Sequence, residues 1–293
     1  MKMITISENK MFNGIQGVYS HNSKVCNCQM TFGLFLPELS RTRKVPILWY
    51  LSGLTCTHEN AMIKSGAQQW AQENGIAIAF PDTSPRGKDV SDDEAFDLGQ
   101  GAGFYLDSQE VPWKRNFQME SYIKDELQEL LIRNFSIDIN RQGITGHSMG
   151  GLGALNLALK NPKTFLSVSA FSPISNPTES EWGKKQFKAY LGDDRRKWEE
   201  YDPSILFERL GFKRKILIDQ GSEDNFIELL KPSALADQIN CNEQLGSFRY
   251  QDVYDHSYYF VATYSPFSKL FSSHTLSYTS SSFMYILTLS IFI

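Results

Sequence analysis

The sequence predicts an α/β fold, a mostly parallel central sheet flanked by helices, on three observations. Short apolar runs alternate with segments of helical periodicity along 293 residues, the pattern of βαβ units. A G-x-S-x-G segment, Gly146-His147-Ser148-Met149-Gly150, falls between an apolar run and a helical one. A hydrophobic content of 41% is enough for a large core, and open α/β sheets of this size are often single domains. No internal repeat interrupts the alternation.

The elements follow in order. Strands are expected over 32–36, 47–51 and 76–80, with a helix over 61–72 before the third of them. A long irregular stretch, 82–113, comes next and carries P-D-T-S-P-R-G (81–87) and G-Q-G-A-G-F-Y (99–105). The glycine run 99–103 lacks the Lys-Ser/Thr of a phosphate loop and follows no clean strand. A helix over 119–133 sets Tyr122, Ile123, Leu127, Leu130 and Leu131 at helical spacing. A strand over 142–145 runs into the Ser148 segment, and a helix over 151–159 leaves it with small residues on its first turn. A strand over 166–171 precedes a second irregular stretch, 173–203. Loops this long in a compact domain are usually functional, and both are rich in Gly, Pro and aromatics, so they read as ordered loops over a site. A strand over 215–219, a helix over 232–239, a strand over 248–253 and a helix beginning near Ser257 complete the pattern.

The chain ends differently. Tyr264-Ser265-Pro266-Phe267 should stop the last helix, a Ser/Thr-rich segment follows, and 283–293 is almost wholly apolar. Eleven residues are too few to span a bilayer. A lipid-anchor signal of this shape needs a secreted precursor, and the first eight residues contain no apolar leader core. The expected organisation is therefore one domain over 1–263 and an atypical tail over 264–293 outside its fold.

A net charge of −4 leaves no electrostatic footprint for nucleic acid, and no Lys/Arg block marks a membrane surface. The four cysteines, Cys26, Cys28, Cys56 and Cys241, fit neither a zinc spacing nor a disulfide framework. Free thiols in a reducing cytosol are expected, and with no leader the Asn134-Phe135-Ser136 sequon reads as accidental.

Ser148 is the candidate nucleophile. In G-x-S-x-G at a strand-to-helix turn, the glycines permit a turn too sharp for side chains, which lifts the hydroxyl clear of the sheet. The N–H of Met149 then points into the same space and can hold an oxyanion. A neutral serine needs a base. Of five histidines, His147 lies inside the turn, His21 in a polar N-terminal segment, His58 in a polar loop and His274 in the tail. His256, following the last strand, remains, at the carboxyl end of the sheet where open α/β folds place their ligands. The base must be oriented by a carboxylate, and in elbow hydrolases the order is Ser, then acid, then His. Asp219, Glu223 and Asp224 compete. Asp219 is still on the strand, and Asp224, in the turn beyond Gly221, is favoured. The second oxyanion donor is expected from the loop after an earlier strand, as the N–H of Leu54 next to Gly53. Cys56 then lies near the site as a thiol rather than as nucleophile.

These residues resemble those of the S-formylglutathione hydrolases, the esterase D family. The matching segments are LSGLTCT (51–57), DTSPRG (82–87), GAGFY (101–105), GHSMGG (146–151), WGKK (182–185), IDQG (218–221) and YDHSYYF (254–260), in order over about residues 1–263. The resemblance implies the α/β-hydrolase fold, cytoplasmic residence, no metal or organic cofactor, and hydrolysis of a small-molecule glutathione thioester to formate and glutathione. It puts the triad on Ser148, Asp224 and His256 and the oxyanion donors on Leu54 and Met149. It adds Trp182 and Lys185 near the substrate cleft, Lys185 to meet a glutathione carboxylate. Members are often homodimers and also hydrolyse simple esters. The alternatives are a general carboxylesterase without glutathione preference, or a form impaired by the departure after Thr263.

Overall fold

The computed structural model describes residues 2–214, 216–241 and 246–265. The strands β1 (Met3–Met11), β2 (Gly14–Ser23), β3 (Cys28–Leu36), β4 (Val45–Leu51), β5 (Ala77–Pro81), β6 (Ile137–His147), β7 (Phe165–Phe171), β8 (Ile216–Gly221) and β9 (Gly246–Gln251) form one sheet. Its order is β1-β2-β3-β5-β4-β6-β7-β8-β9. From β5 to β9 neighbouring strands are parallel, and β1, β2 and β3 are antiparallel. The mostly parallel α/β architecture read from the sequence is the one observed.

Strand β4 shows why the parallel part is apolar throughout. Helices cover both faces of a parallel sheet, so every β4 residue is buried. Ile47, Trp49 and Leu51 enter the larger core with Phe32, Ile144 and Leu155, while Leu48 and Tyr50 enter the core on the other face with Trp70, Phe80, Phe171 and Phe260. Trp49 also donates its indole N–H to Gln142 Oε1 at 2.8 Å. Truncating Trp49 to Ala should cost about 3–5 kcal/mol of stability.

Five expectations need correction. The first hairpin, β1–β2, was not anticipated: it turns on Phe12 (φ 46°) and Asn13 (φ 67°), the two left-handed positions of a tight hairpin. Strand β1 is exposed along most of its length, and its apolar residues stop at Ile6 until Met11. The expected helix 61–72 is two helices, α1 (His58–Lys64) and α2 (Ala67–Asn74), separated at Gly66, whose φ of 62° breaks the ladder. The helix expected over 119–133 is α3 (Met119–Ser121) and α4 (Gln128–Asn134) joined by a π-helical segment over Tyr122–Leu127. There Glu126 accepts the Lys24 N–H at 2.7 Å and Tyr122 meets His21 Nε2 at 3.1 Å, tying the segment to β2 and the turn after it. The strand expected over 248–253 ends at Gln251, and Val253 has a φ of 58°.

The fifth correction bears on the site. After α5 (Met149–Lys160) and β7, the stretch 173–203 is not a loop. It holds α6 (Glu181–Leu191) and α7 (Arg195–Glu199), and it leads into α8 (Pro203–Leu210). Each start is capped by a side chain: Ser180 accepts from the Gly183 N–H, Asp194 from Arg196, and Asp202 from Ser204 and Ile205. The chain continues through α9 (Ile227–Leu230) and α10 (Ser233–Asn240) to a final helix over 258–265. That helix buries Phe260 and Val261, with Tyr264 packed against the same core. The expected tail, apart from Tyr264 and Ser265, lies outside the described residues. Among the described residues no helix is long and apolar enough to cross a membrane.

Candidate active site

Ser148 sits at the junction of β6 and α5 with φ 59° and ψ −120°. A non-glycine residue there is strained by about 1–3 kcal/mol and persists only where its surroundings over-determine it. They do so here. A Cβ on Gly146 would fall 2.1 Å from the Gly150 carbonyl oxygen, and one on Gly150 would fall 2.1 Å from that of Leu51. The turn closes because both are glycine. The Ser148 N–H is held by the Phe171 carbonyl at 2.9 Å, and its own carbonyl accepts from Leu152 at 3.0 Å. Met149 opens α5, so its N–H has no acceptor within the helix.

His256 and Asp224 arrive from separate segments. Asp224 follows β8 and precedes α9, and His256 lies in the turn two residues before the final helix. His256 Nδ1 lies 2.6 Å from Asp224 Oδ2. That oxygen also accepts from Gln220 Nε2 at 3.0 Å, and Oδ1 accepts the Phe226 N–H at 2.9 Å. Burial by itself would raise the Asp224 carboxyl. The bond and charge of His256, with the Phe226 N–H, outweigh it and hold the group below the ordinary carboxylate range. Of the competing acids, Asp219 is bound by Arg249 at 2.8 Å and by Gln251 at 2.6 Å. Glu223 makes a backbone bond to Tyr254 instead.

The two halves meet through His147. Its ring centroid is 4.6 Å from that of His256 and 5.3 Å from that of Tyr258. Burial first, and the neighbouring His256 second, push the His147 imidazole well below its ordinary pKa, so it is neutral and adds no charge beside His256. Gly53 completes the approach. A Cβ there would be 3.2 Å from Ser148 Cβ and 3.7 Å from His147 Nδ1. Leu54 therefore follows a residue in contact with the serine, and its loop and the start of α5 border one space. Cys56 is half-buried in the same loop, and burial pushes its thiol up, away from the thiolate a nucleophile requires.

Trp182 and Lys185 lie on the first turns of α6, and both are held by Asp97 of the long loop before α3. Trp182 Nε1 donates to Asp97 Oδ2 at 2.7 Å and Lys185 Nζ to Oδ1 at 2.6 Å. The Lys185 ammonium, half exposed, is thus already paired with a buried carboxylate. Trp182 stacks on Phe226 with centroids 6.2 Å apart, and Phe226 meets His256 edge-on at 4.9 Å. Sequence reasoning missed Asp97, Phe226 and Gln220. Phe226, two residues beyond Asp224, was within reach of it. Asp97 sits in an irregular loop with no spacing to mark it. Among the described residues no group of His, Cys, Asp and Glu is arranged to hold a metal ion.

The family model described as "Putative esterase" matches residues 23–278. An S-formylglutathione hydrolase of Paracoccus denitrificans is 57% identical over 260 residues, 89% of this chain and 93% of the relative. One from Mus musculus is 47% identical over 271 residues, 90% and 95% of the two chains. The structure of an S-formylglutathione hydrolase from Agrobacterium tumefaciens superposes with a TM-score of 0.90 at 43% identity, covering 93% of this chain and 99% of that one. The chain belongs to this esterase family, together with the S-formylglutathione hydrolases.

Proposed function

We propose that the chain hydrolyses S-formylglutathione to formate and glutathione through a formyl-serine intermediate, with Ser148 as nucleophile, His256 as base and Asp224 as its orienting carboxylate. The observation that carries the assignment of roles is the 2.6 Å bond between His256 and Asp224, with the His256 ring 4.6 Å from that of His147, the residue preceding the strained Ser148. The substrate class rests on family membership.

In this reading His256 takes the Ser148 proton as the serine oxygen attacks the formyl carbon. The N–H groups of Leu54 and Met149 hold the resulting oxyanion, and losing one such donor typically costs about 10²–10³ in rate. The C–S bond breaks as the tetrahedral centre collapses, and glutathione departs as a thiol with the proton from His256. A thiolate leaves readily, so acid assistance matters less in this step. His256 then takes a proton from water, the hydroxide adds to the formyl ester, and formate leaves as Ser148 recovers its hydrogen. Trp182 and Lys185 border the leaving-group side, where Lys185, held by Asp97, faces a glutathione carboxylate. Cys56 stays a spectator. The resemblance extends the proposal to a cytoplasmic homodimer whose catalytic domain is residues 1–263.

The test is turnover of S-formylglutathione and of a neutral formyl ester by the purified full-length chain, beside Ser148→Ala. Rapid turnover of the thioester, with a lower KM than for the neutral ester and abolished by the substitution, is expected. A soluble, folded wild type without turnover would refute the activity, and an active Ser148→Ala would refute the nucleophile.

A further inference from the structure

The D-T-S-P-R-G segment takes no part in the proposed chemistry, yet its side chains reach the loop that carries Leu54. Thr83 Oγ1 donates to the Cys56 carbonyl at 2.5 Å, and Arg86 Nη2 donates to the same oxygen at 2.8 Å. Arg86 Nε is in turn braced by both oxygens of Asp82, at 3.0 and 3.1 Å. Asp82 is buried and accepts the Thr83 N–H at 2.7 Å. The loop is pinned on its other side as well: Tyr105 Oη donates to the Ser52 carbonyl at 2.8 Å, and the Thr55 N–H donates to the Gly101 carbonyl at 2.9 Å.

Between those anchors the backbone is strained. Thr55 has a φ of 64°, a conformation that a β-branched residue adopts only when held in it. The strained residue directly follows Leu54, so relaxing it turns the Leu54–Thr55 peptide, and the motion passes through the Leu54 Cα to the Gly53–Leu54 peptide, which carries the Leu54 N–H. An oxyanion donor works only when it is aimed before the reaction at the place where charge develops. The ion pair with Asp82 fixes the Arg86 fork, and the fork fixes Cys56.

We propose that Arg86, braced by Asp82 and aided by Thr83, is a positioning residue for catalysis: by holding the Cys56 carbonyl it keeps Thr55 in its strained conformation and the Leu54 N–H aimed at the oxyanion. This rests on the assignment of Leu54 as an oxyanion donor to Ser148. The tetrahedral centre forms in both acylation and deacylation, so loss of the clamp lowers kcat whichever step limits turnover. Ground-state binding of the glutathione moiety does not pass through the clamp, so KM is left in place.

The experiment compares wild type, Arg86→Met and Thr83→Val, with active sites counted by titration to completion with a fluorophosphonate. Measured are kcat per titrated site, KM for S-formylglutathione and thermal midpoint. Arg86→Met should lower kcat per active site about 10- to 100-fold, in line with a misplacement of up to 1 Å, with KM within about twofold of wild type. A structural role alone would lower the midpoint and the number of titrated sites and leave kcat per site intact; that result overturns the proposal. Where Arg86→Met fails to fold, Thr83→Val decides: a loss of at least about threefold in kcat per site supports the clamp, and an unchanged kcat overturns it. Ser148→Ala in the same series separates the two ideas. Activity surviving there would remove the nucleophile assignment itself, whereas an inactive Ser148→Ala beside a normal Arg86→Met removes only the clamp.

Discussion

Replacing Asp224 by Asn tests the acid-base arrangement with the smallest change of shape. The carboxylate accepts three hydrogen bonds, from His256 and Gln220 on Oδ2 and from the Phe226 N–H on Oδ1. An amide cannot accept on both sides. With its oxygen toward Phe226, its NH₂ faces Gln220 Nε2 and His256 Nδ1. His256 must then present a bare Nδ1 and carry its proton on Nε2, the nitrogen needed to take the Ser148 proton. With the amide flipped, the NH₂ faces the Phe226 N–H, and a buried donor without an acceptor costs about 1–3 kcal/mol. The charge is lost in either case. An imidazolium about 4 Å from a carboxylate, at an effective dielectric of about 20, is stabilised by about 4 kcal/mol, or about 10³ in rate. With the tautomer error added, kcat for Asp224→Asn should fall about 10³- to 10⁴-fold, while the fold persists because Asn keeps the volume. Single-turnover release of glutathione, with circular dichroism as the control for folding, measures it. A folded variant within tenfold of wild type would refute this role for Asp224.

Gly53→Ala places a methyl group 3.2 Å from Ser148 Cβ and 3.4 Å from the His147 carbonyl oxygen, so neighbours must yield by a few tenths of an ångström. A loss of about 3- to 10-fold in kcat is expected, with a thermal midpoint within about 4 °C of wild type. Gly150→Ala meets the Leu51 carbonyl oxygen at 2.1 Å and should instead fail to give soluble protein, as an expression comparison will tell. The buried imidazoles of His21 and His147 are both held below their ordinary pKa, by burial above all. Below about pH 6.5 the unfolded chain therefore binds protons that the folded chain refuses, and their contribution to stability falls as the pH falls, by up to about 1.4 kcal/mol per pH unit each. Urea unfolding between pH 7 and 5.5 should show that slope, and His21→Asn should reduce it; an unchanged slope in that variant would contradict the assignment.

Legibility from sequence tracked how local the signal is. The Ser148 turn was legible because one short segment holds its glycines, the strand before it and the helix after it. His256 is proposed as base by elimination and Asp224 as its partner by chain order; the 2.6 Å bond that joins them is a fact of tertiary structure that neither argument contains. Strand β1 was missed because its apolar alternation is confined to Ile4-Thr5-Ile6-Ser7 and gives way to the exposed polar run Glu8-Asn9-Lys10. Helix α6 was missed because Gly183 and three lysines, Lys184, Lys185 and Lys188, blur its periodicity, although the cap at Ser180 stood in the sequence. Asp97 could not be read at all. Its partners, Trp182 and Lys185, lie more than eighty residues away, and no periodicity links a loop carboxylate to them.

The supports of the site divide in the same way. The elbow is held by backbone packing: Gly146 against Gly150, Gly150 against Leu51, and the Ser148 N–H on Phe171. A fault there is a fault in the sheet. The loop that carries Leu54, the Asp224 turn and the start of α6 are held by side chains: Arg86, Tyr105, Gln220 and Asp97. Of these, Tyr105 and Gln220 are buried, Tyr105 as part of the core, whereas the half-buried Arg86 reaches its loop from the surface. Phe226 joins two of these supported parts, stacked on Trp182 at one face and edge-on to His256 at the other. A shift of Trp182 on α6 is therefore felt one ring away from His256, the proposed base. If Ser148 is the nucleophile, as proposed, substitutions in the two long stretches between strands should change leaving-group preference while the sheet keeps the serine in place.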